Sequence, residues 1–164
     1  MKKTNKGFSM VELIIVIAIM AILAGALAPA LIKYINKSRV STDIQTGNAI
    51  ATAVQTALSN EAGFDAAASS YDKTWTTLTG GGSWATDDFM ATVGNTVGAN
   101  IPKVKSKKCI AKSGSAATGG DFEIYVDTSG NEVKVRIGGN HLVFPTADEC
   151  LTNDNATSCS PTGT

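Results

Sequence analysis

Lys6-Gly7-Phe8-Ser9-Met10-Val11-Glu12 places one carboxylate at the head of an otherwise uncharged run from Leu13 to Ile32. A charged side chain near the centre of a bilayer costs ~2.5–3.5 kcal/mol even on lenient insertion scales, so an acid there implies a partner or a task. A cut between Gly7 and Phe8 would supply the partner. The freed amine of one subunit is a cation that Glu12 of a neighbouring subunit could neutralise in low dielectric.

Lys2-Lys3-Thr4-Asn5-Lys6-Gly7, then Phe8-Ser9-Met10-Val11-Glu12-Leu13, then a long apolar helix carrying Pro29, resembles the N-terminus of type IV pilins and their pseudopilin relatives. The resemblance covers the leader and the apolar arm and says much less about the remaining chain. It implies that a prepilin peptidase cuts after Gly7, that Phe8 becomes an N-methylated terminus, and that Glu12 is the assembly glutamate. It further implies a helical homopolymer as the main partner, an assembly platform with its ATPase machinery, and residence in the cytoplasmic membrane, N-terminus inside, before export into an extracellular pilus. No cofactor is implied.

The same residues admit an ordinary secretory signal. The leader is basic, residues 13–23 form an apolar core, and Ala26-Leu27-Ala28 and Ala28-Pro29-Ala30 look like small-residue cleavage sites. Two features oppose it: Glu12 lies where an h-region carries no acid, and helical patterning continues past the supposed cut. A plain N-terminal membrane anchor is the other rival. The leader lysines would hold the N-terminus on the cytoplasmic side.

The precursor's 14 basic and 14 acidic residues balance, and loss of Lys2, Lys3 and Lys6 leaves the mature chain mildly acidic. This gives no support to a general nucleic-acid or anionic-membrane binder. The length of 164 residues suits one domain plus a hydrophobic arm.

Lys33, Lys37 and Arg39 mark an exit into water, followed by an apolar series at Val40, Ile44, Gly47, Ala51, Val54 and Leu58. That spacing is one helix face, to be laid on a globular body, with Asp43, Gln45, Asn48 and Gln55 expected on other faces. Asn60 and Gly63 supply a stop. From Phe8 to Leu58 such a helix is ~75 Å long at ~1.5 Å per residue, too long to bury in one small domain. Pro29 removes an amide hydrogen and crowds the carbonyl of Gly25, whose own helix propensity is poor, so a kink or local melting is expected there. The resemblance adds that such an arm can extend under tension just before the proline.

Residues 62–86 are rich in Ala, Ser, Thr and Gly, ending near Gly80-Gly81-Gly82, and read as a connection with little regular structure. The triplet lacks the Lys-Ser or Lys-Thr of a phosphate loop. Tyr71, Trp75 and Trp84 read as packing anchors for this connection. Thr86-Asp87-Asp88 before Phe89, Met90, Val93 and Val97 predicts a short capped helix. Asp121–Asp127, Glu132–Ile137 and His141–Phe144 alternate around turns at 128–131 and 138–140 and predict two consecutive hairpins. Phe122, Ile124, Val126, Val133, Val135, Ile137, Leu142 and Phe144 are the expected inner face, and a fourth strand is expected near Val104–Ala111.

Three pairings are open among Cys109, Cys150 and Cys159, one cysteine being left over. Cys150 with Cys159 closes a loop in the polar tail, worth ~2.5–3 kcal/mol in the chain-entropy model, and Cys109 with Cys150 is the rival. The first would resemble the disulfide-bounded C-terminal loop of many pilins, although its spacing is short and a third cysteine departs from their pair. His141, the only histidine, has no cysteine pair or acid at ligand spacing, and no nucleophile elbow surrounds any serine, so neither an enzyme nor a metal site is expected. Asp148, Glu149 and Asp154 are the nearest approach to a calcium loop. Lys103, Lys105, Lys107, Lys108 and Lys112 lack interleaved aromatics and read as an edge-protecting or solvated stretch rather than a nucleic-acid surface.

The expectation is an α+β fold: a long N-terminal helix, its hydrophobic half protruding, packed through its C-terminal half on an antiparallel sheet. Boundaries are a leader at 1–7, an arm at 8–32 and a head at 33–164, with helix 33–60, connection 61–100, and sheet plus C-terminal loop 101–164. The expected function is a structural subunit, a major pilin, polymerising into a pilus for adhesion, motility or aggregation. The alternatives are a pseudopilin or minor pilin of a secretion or DNA-uptake system, and a tethered binding domain that does not polymerise.

Overall fold

The computed structural model describes residues 8–106, 121–138, 141–148 and 151. Residues 1–37 and 38–164 form two compact units, taken here in turn. Helix α1 spans Met10–Leu58. Within the first unit it is the only described element, unbroken through Gly25 and Pro29. Every large apolar side chain from Phe8 to Ile35 is exposed, from 42% at Ile35 to 85% at Phe8.

In the second unit α1 buries Val40, Asp43, Gly47, Ile50, Ala51, Ala53, Val54 and Ala57. Small residues dominate because the sheet comes close: a Cβ on Gly47 would lie 2.5 Å from Val143 Cγ1. Asp43 corrects the expectation that it faces elsewhere. Standing three residues after Val40 and four before Gly47, it lies on the buried stripe, and only its polarity argued otherwise.

Helix α1 ends at Leu58, beside the stop expected at Asn60, but the chain does not leave helical structure for long. It turns directly into α2, Glu61–Ser70, with Asn60 in the N-cap position but making no side-chain cap bond. Gly63 sits inside α2, where a Cβ would meet the Ala57 carbonyl oxygen at 2.4 Å, so the turn's close approach requires glycine.

The connection is more ordered than its composition implies. After α2 come strand β1, Trp75–Leu78, and helix α3, Asp88–Val97. Asp87 caps α3 by accepting the Met90 amide at 2.9 Å, the cap that the sequence pointed to. The glycine triplet is tied down: Gly81 N–H donates to Ile101 O at 2.7 Å and Ile101 N–H to Gly82 O at 2.9 Å. The fourth strand is therefore β1; residues 101–106 form no strand, and 107–111 lie outside the described residues.

Strands β2 (Phe122–Asp127), β3 (Glu132–Ile137) and β4 (His141–Phe144) complete an antiparallel sheet of order β1-β2-β3-β4. Its inner face carries Leu78, Phe122, Ile124, Val126, Val133, Val135 and Ile137. In β4 the buried pair is His141 and Val143, not Leu142 and Phe144. Ile137 pairs with His141 and Arg136 with Leu142, before a register shift between Val135 and Arg136. Directly opposed residues share a face, so His141 follows Ile137 inward and Leu142 follows Arg136 outward. Fully buried Phe89, Phe122, Ile50, Ile124 and Ile137 anchor the core, each worth about 1.5–3 kcal/mol of transfer free energy.

Candidate functional site

The tip of α1 is built as a helix start. Ser9 is the last non-helical residue; its carbonyl accepts from Leu13 N–H at 3.3 Å, and its own amide donates to Glu12 Oε2 at 3.0 Å. This is the reach-back half of a capping box, in which the acid three residues after the cap satisfies the cap's amide. A carboxylate here also faces the positive end of the helix dipole. The Ser9-x-x-Glu12 spacing of this cap is present in the sequence beside the charge of Glu12.

Glu12 and Phe8 lie at the same tip, both exposed, while Gly7 lies outside the described residues. An ionised carboxylate has about four lone-pair sites, so the bond from Ser9 leaves Glu12 able to accept from a second donor. Behind it the helix from Met10 holds a window long and apolar enough to cross a membrane, none of it buried. A Cβ on Gly25 would meet nothing within 4 Å.

In the second unit the charged groups hold local structure. Asp43, 1% exposed, accepts the Lys105 amide at 2.9 Å and the Ser106 amide at 2.7 Å, fastening residues 105–106 to α1. Burial pushes its carboxyl above the usual carboxylate range, opposed by those two amides. Asp72 accepts both the amide and hydroxyl of Thr128 at 2.8 Å, and Asp127 accepts from Ser129 and Gly130 in its own turn. Those bonds lower both carboxyls below their ordinary value. Tyr71 donates to Asp87 at 2.7 Å, and burial followed by that carboxylate pushes the phenol up to about 12.

Outward from the sheet, Arg136 lies 3.7 Å from the centre of the Trp75 ring and donates from Nε to Glu123. Trp75 therefore anchors the sheet's outer face and Trp84 the connection, the latter donating to Gly98 O at 2.7 Å. His141 is buried 3.8 Å from Asp148, and Asp148 also accepts the Leu142 amide, so Asp148 is engaged in the sheet margin rather than in an open loop. Among the described residues no three histidine, cysteine or acidic side chains converge. Cys109, Cys150, Cys159, Glu149, Asp154, Lys107, Lys108 and Lys112 lie outside the described residues.

The family model of the prokaryotic N-terminal methylation motif matches residues 2–28. Two forms of the type IV major fimbrial protein FimA of Dichelobacter nodosus are 41% identical to the chain over 58 residues, which is 35% of this chain and 37% and 36% of theirs. The chain thus spans little over a third of the length of these curated relatives. No solved structure matches it. A methylation-type apolar N-terminus on a long helix, packed in its C-terminal half on an antiparallel meander, is the α+β arrangement of a pilin fold. Over its N-terminal third the chain is similar to type IV fimbrial proteins.

Proposed function

We propose that the chain is cut after Gly7 and that the mature subunit, beginning at Phe8, polymerises into an extracellular pilus. The observation that carries this is the exposed row of large apolar side chains from Phe8 to Ile32, with a single carboxylate at its tip. Monomeric soluble proteins rarely expose so continuous an apolar surface, and lipid or other copies of the same helix are the natural cover. Before assembly the arm rests in the membrane as a reservoir. During docking the methylated amine of Phe8 on one subunit pairs with Glu12 of its neighbour, and the arms then pack side by side in a hydrophobic filament core. Gly25 and Pro29 form the place where the helix yields within that core. A prepilin peptidase and an ATP-driven assembly platform are the partners this route requires.

Electron microscopy of sheared cell-surface material, with mass spectrometry of its main band, tests the reading. The expected band starts at N-methylated phenylalanine. A chain starting near Pro29 or Leu31, or surface material without this protein, would overturn it.

A further inference from the structure

Two clefts adjoin in the second unit and share Ser83 and Trp84 as a common wall. One, of about 410 Å³, opens between Trp84 and α3 at Gly94 and Asn95. The other, of about 220 Å³, lies beneath Tyr71 and the Thr76–Thr79 strand end. The larger alone falls in the ~300–1,000 Å³ range of small-ligand sites.

The indole between them is held in place. Its N–H donates to Gly98 O at 2.7 Å, and the ring presses on Gly94, where a Cβ would stand 2.6 Å from Trp84 Cδ1. A wall fixed before the ligand arrives loses little side-chain entropy on binding. Neither cleft is lined by a charged side chain. Their polar groups are the hydroxyls of Tyr71, Thr76, Thr77, Thr79 and Ser83 and the amide of Asn95, the Tyr71 hydroxyl being left to accept because it already donates to Asp87.

From this we infer that the paired clefts bind a neutral saccharide. A sugar presents C–H groups that pack on the electron-rich face of an aromatic ring, and hydroxyls that both donate and accept. The lining offers the same two kinds of group. A phosphorylated, sialylated or nucleic-acid ligand would enter without a counter-charge, and buried charge without a partner is costly. The inference does not depend on polymerisation, because every group it uses belongs to the second unit.

The test uses the full mature chain in a zwitterionic detergent free of sugar headgroups. Saturation-transfer NMR is run with maltose, lactose, N,N′-diacetylchitobiose and 3′-sialyllactose. A Trp75→Phe background, which leaves Trp84 as the only tryptophan, adds a fluorescence titration. Saturable transfer to at least one neutral disaccharide, with a matching change in Trp84 emission, is expected. The double substitution Ser83→Ala with Asn95→Ala, both exposed residues, should weaken that binding at least about fivefold while leaving the melting temperature unchanged, since it removes two hydrogen bonds to the ligand. No saturable signal from any neutral disaccharide, wild-type binding by the double variant, or tighter binding of sialyllactose than of lactose would each overturn the inference.

Discussion

Helix α1 solves two different burial problems with one secondary structure. Through the arm, large side chains such as Ile14, Ile22 and Leu27 are exposed, and the surface is apolar all round. Through the head, the same helix buries a stripe of mostly small residues, Gly47, Ala51, Ala53, Val54 and Ala57, with polar residues opposite. A helix that is apolar on every side must find its cover outside its own domain, whereas an amphipathic one finds it within. The two glycines show the difference at single-residue scale: a methyl group at Gly25 meets open space, and one at Gly47 meets Val143 at 2.5 Å.

The comparison breaks most severely at Glu12. Glu12→Ala removes the charge and the Ser9 cap together. Filament yield from sheared cells should fall at least tenfold, the ratio expected for losing ~1.4 kcal/mol or more per docking step, while cleavage after Gly7 and the melting temperature of the head stay unchanged. Next comes the head's own core. Phe122→Ala should cost about 3–5 kcal/mol, seen as a lowered urea midpoint, with membrane insertion of the arm unaffected. Gly47→Ala should cost about 1–3 kcal/mol by overpacking Val143, read in the same denaturation experiment.

Asp43 sharpens the contrast through pH. Its folded pKa is raised, so its titration favours the fold below the unfolded value of about 3.9 and loses that contribution as pH rises through the folded value. Asp72 and Asp127 are lowered and run the other way: their contribution is present above about pH 4 and lost as pH falls through their folded values. Asp43→Asn should therefore gain on wild type as pH rises from about 4 toward neutrality, measured as the difference in urea midpoints. A constant difference would show that the buried carboxylate carries no titration cost. The smallest effect belongs to Gly25→Ala, which should stabilise the arm helix by ~0.5–1 kcal/mol. Slower amide exchange around residue 25 in detergent would show it.

How much was legible follows the same division. The arm could be read almost completely, because continuous apolarity broken by one acid has few physical solutions. The β2–β3 hairpin was equally readable from strict alternation. Three features were not. Asp43 was put on the wrong face because a buried carboxylate is expensive unless paired, and its partners, the amides of 105 and 106, come from far along the chain. The phase of β4 was missed because a short strand of mixed residues after a turn leaves its register to the bulge at Val135/Arg136. The order within 62–86, helix α2 and strand β1, is hidden because Ala, Ser, Thr and Gly composition suggests a loop, whereas Gly63 permits the close packing of α2 on the end of α1. At the tip, both the isolated charge of Glu12 and the Ser9-x-x-Glu12 spacing of the cap are legible in the sequence.

The most direct measurement is a filament structure at side-chain resolution. The expected result is the N-methylated amine of Phe8 within about 4 Å, the reach of an ion pair, of the Glu12 carboxylate of an adjacent subunit, with the arms packed together around them. Glu12 facing lipid or solvent with no amine from another subunit in reach would contradict the proposed pairing.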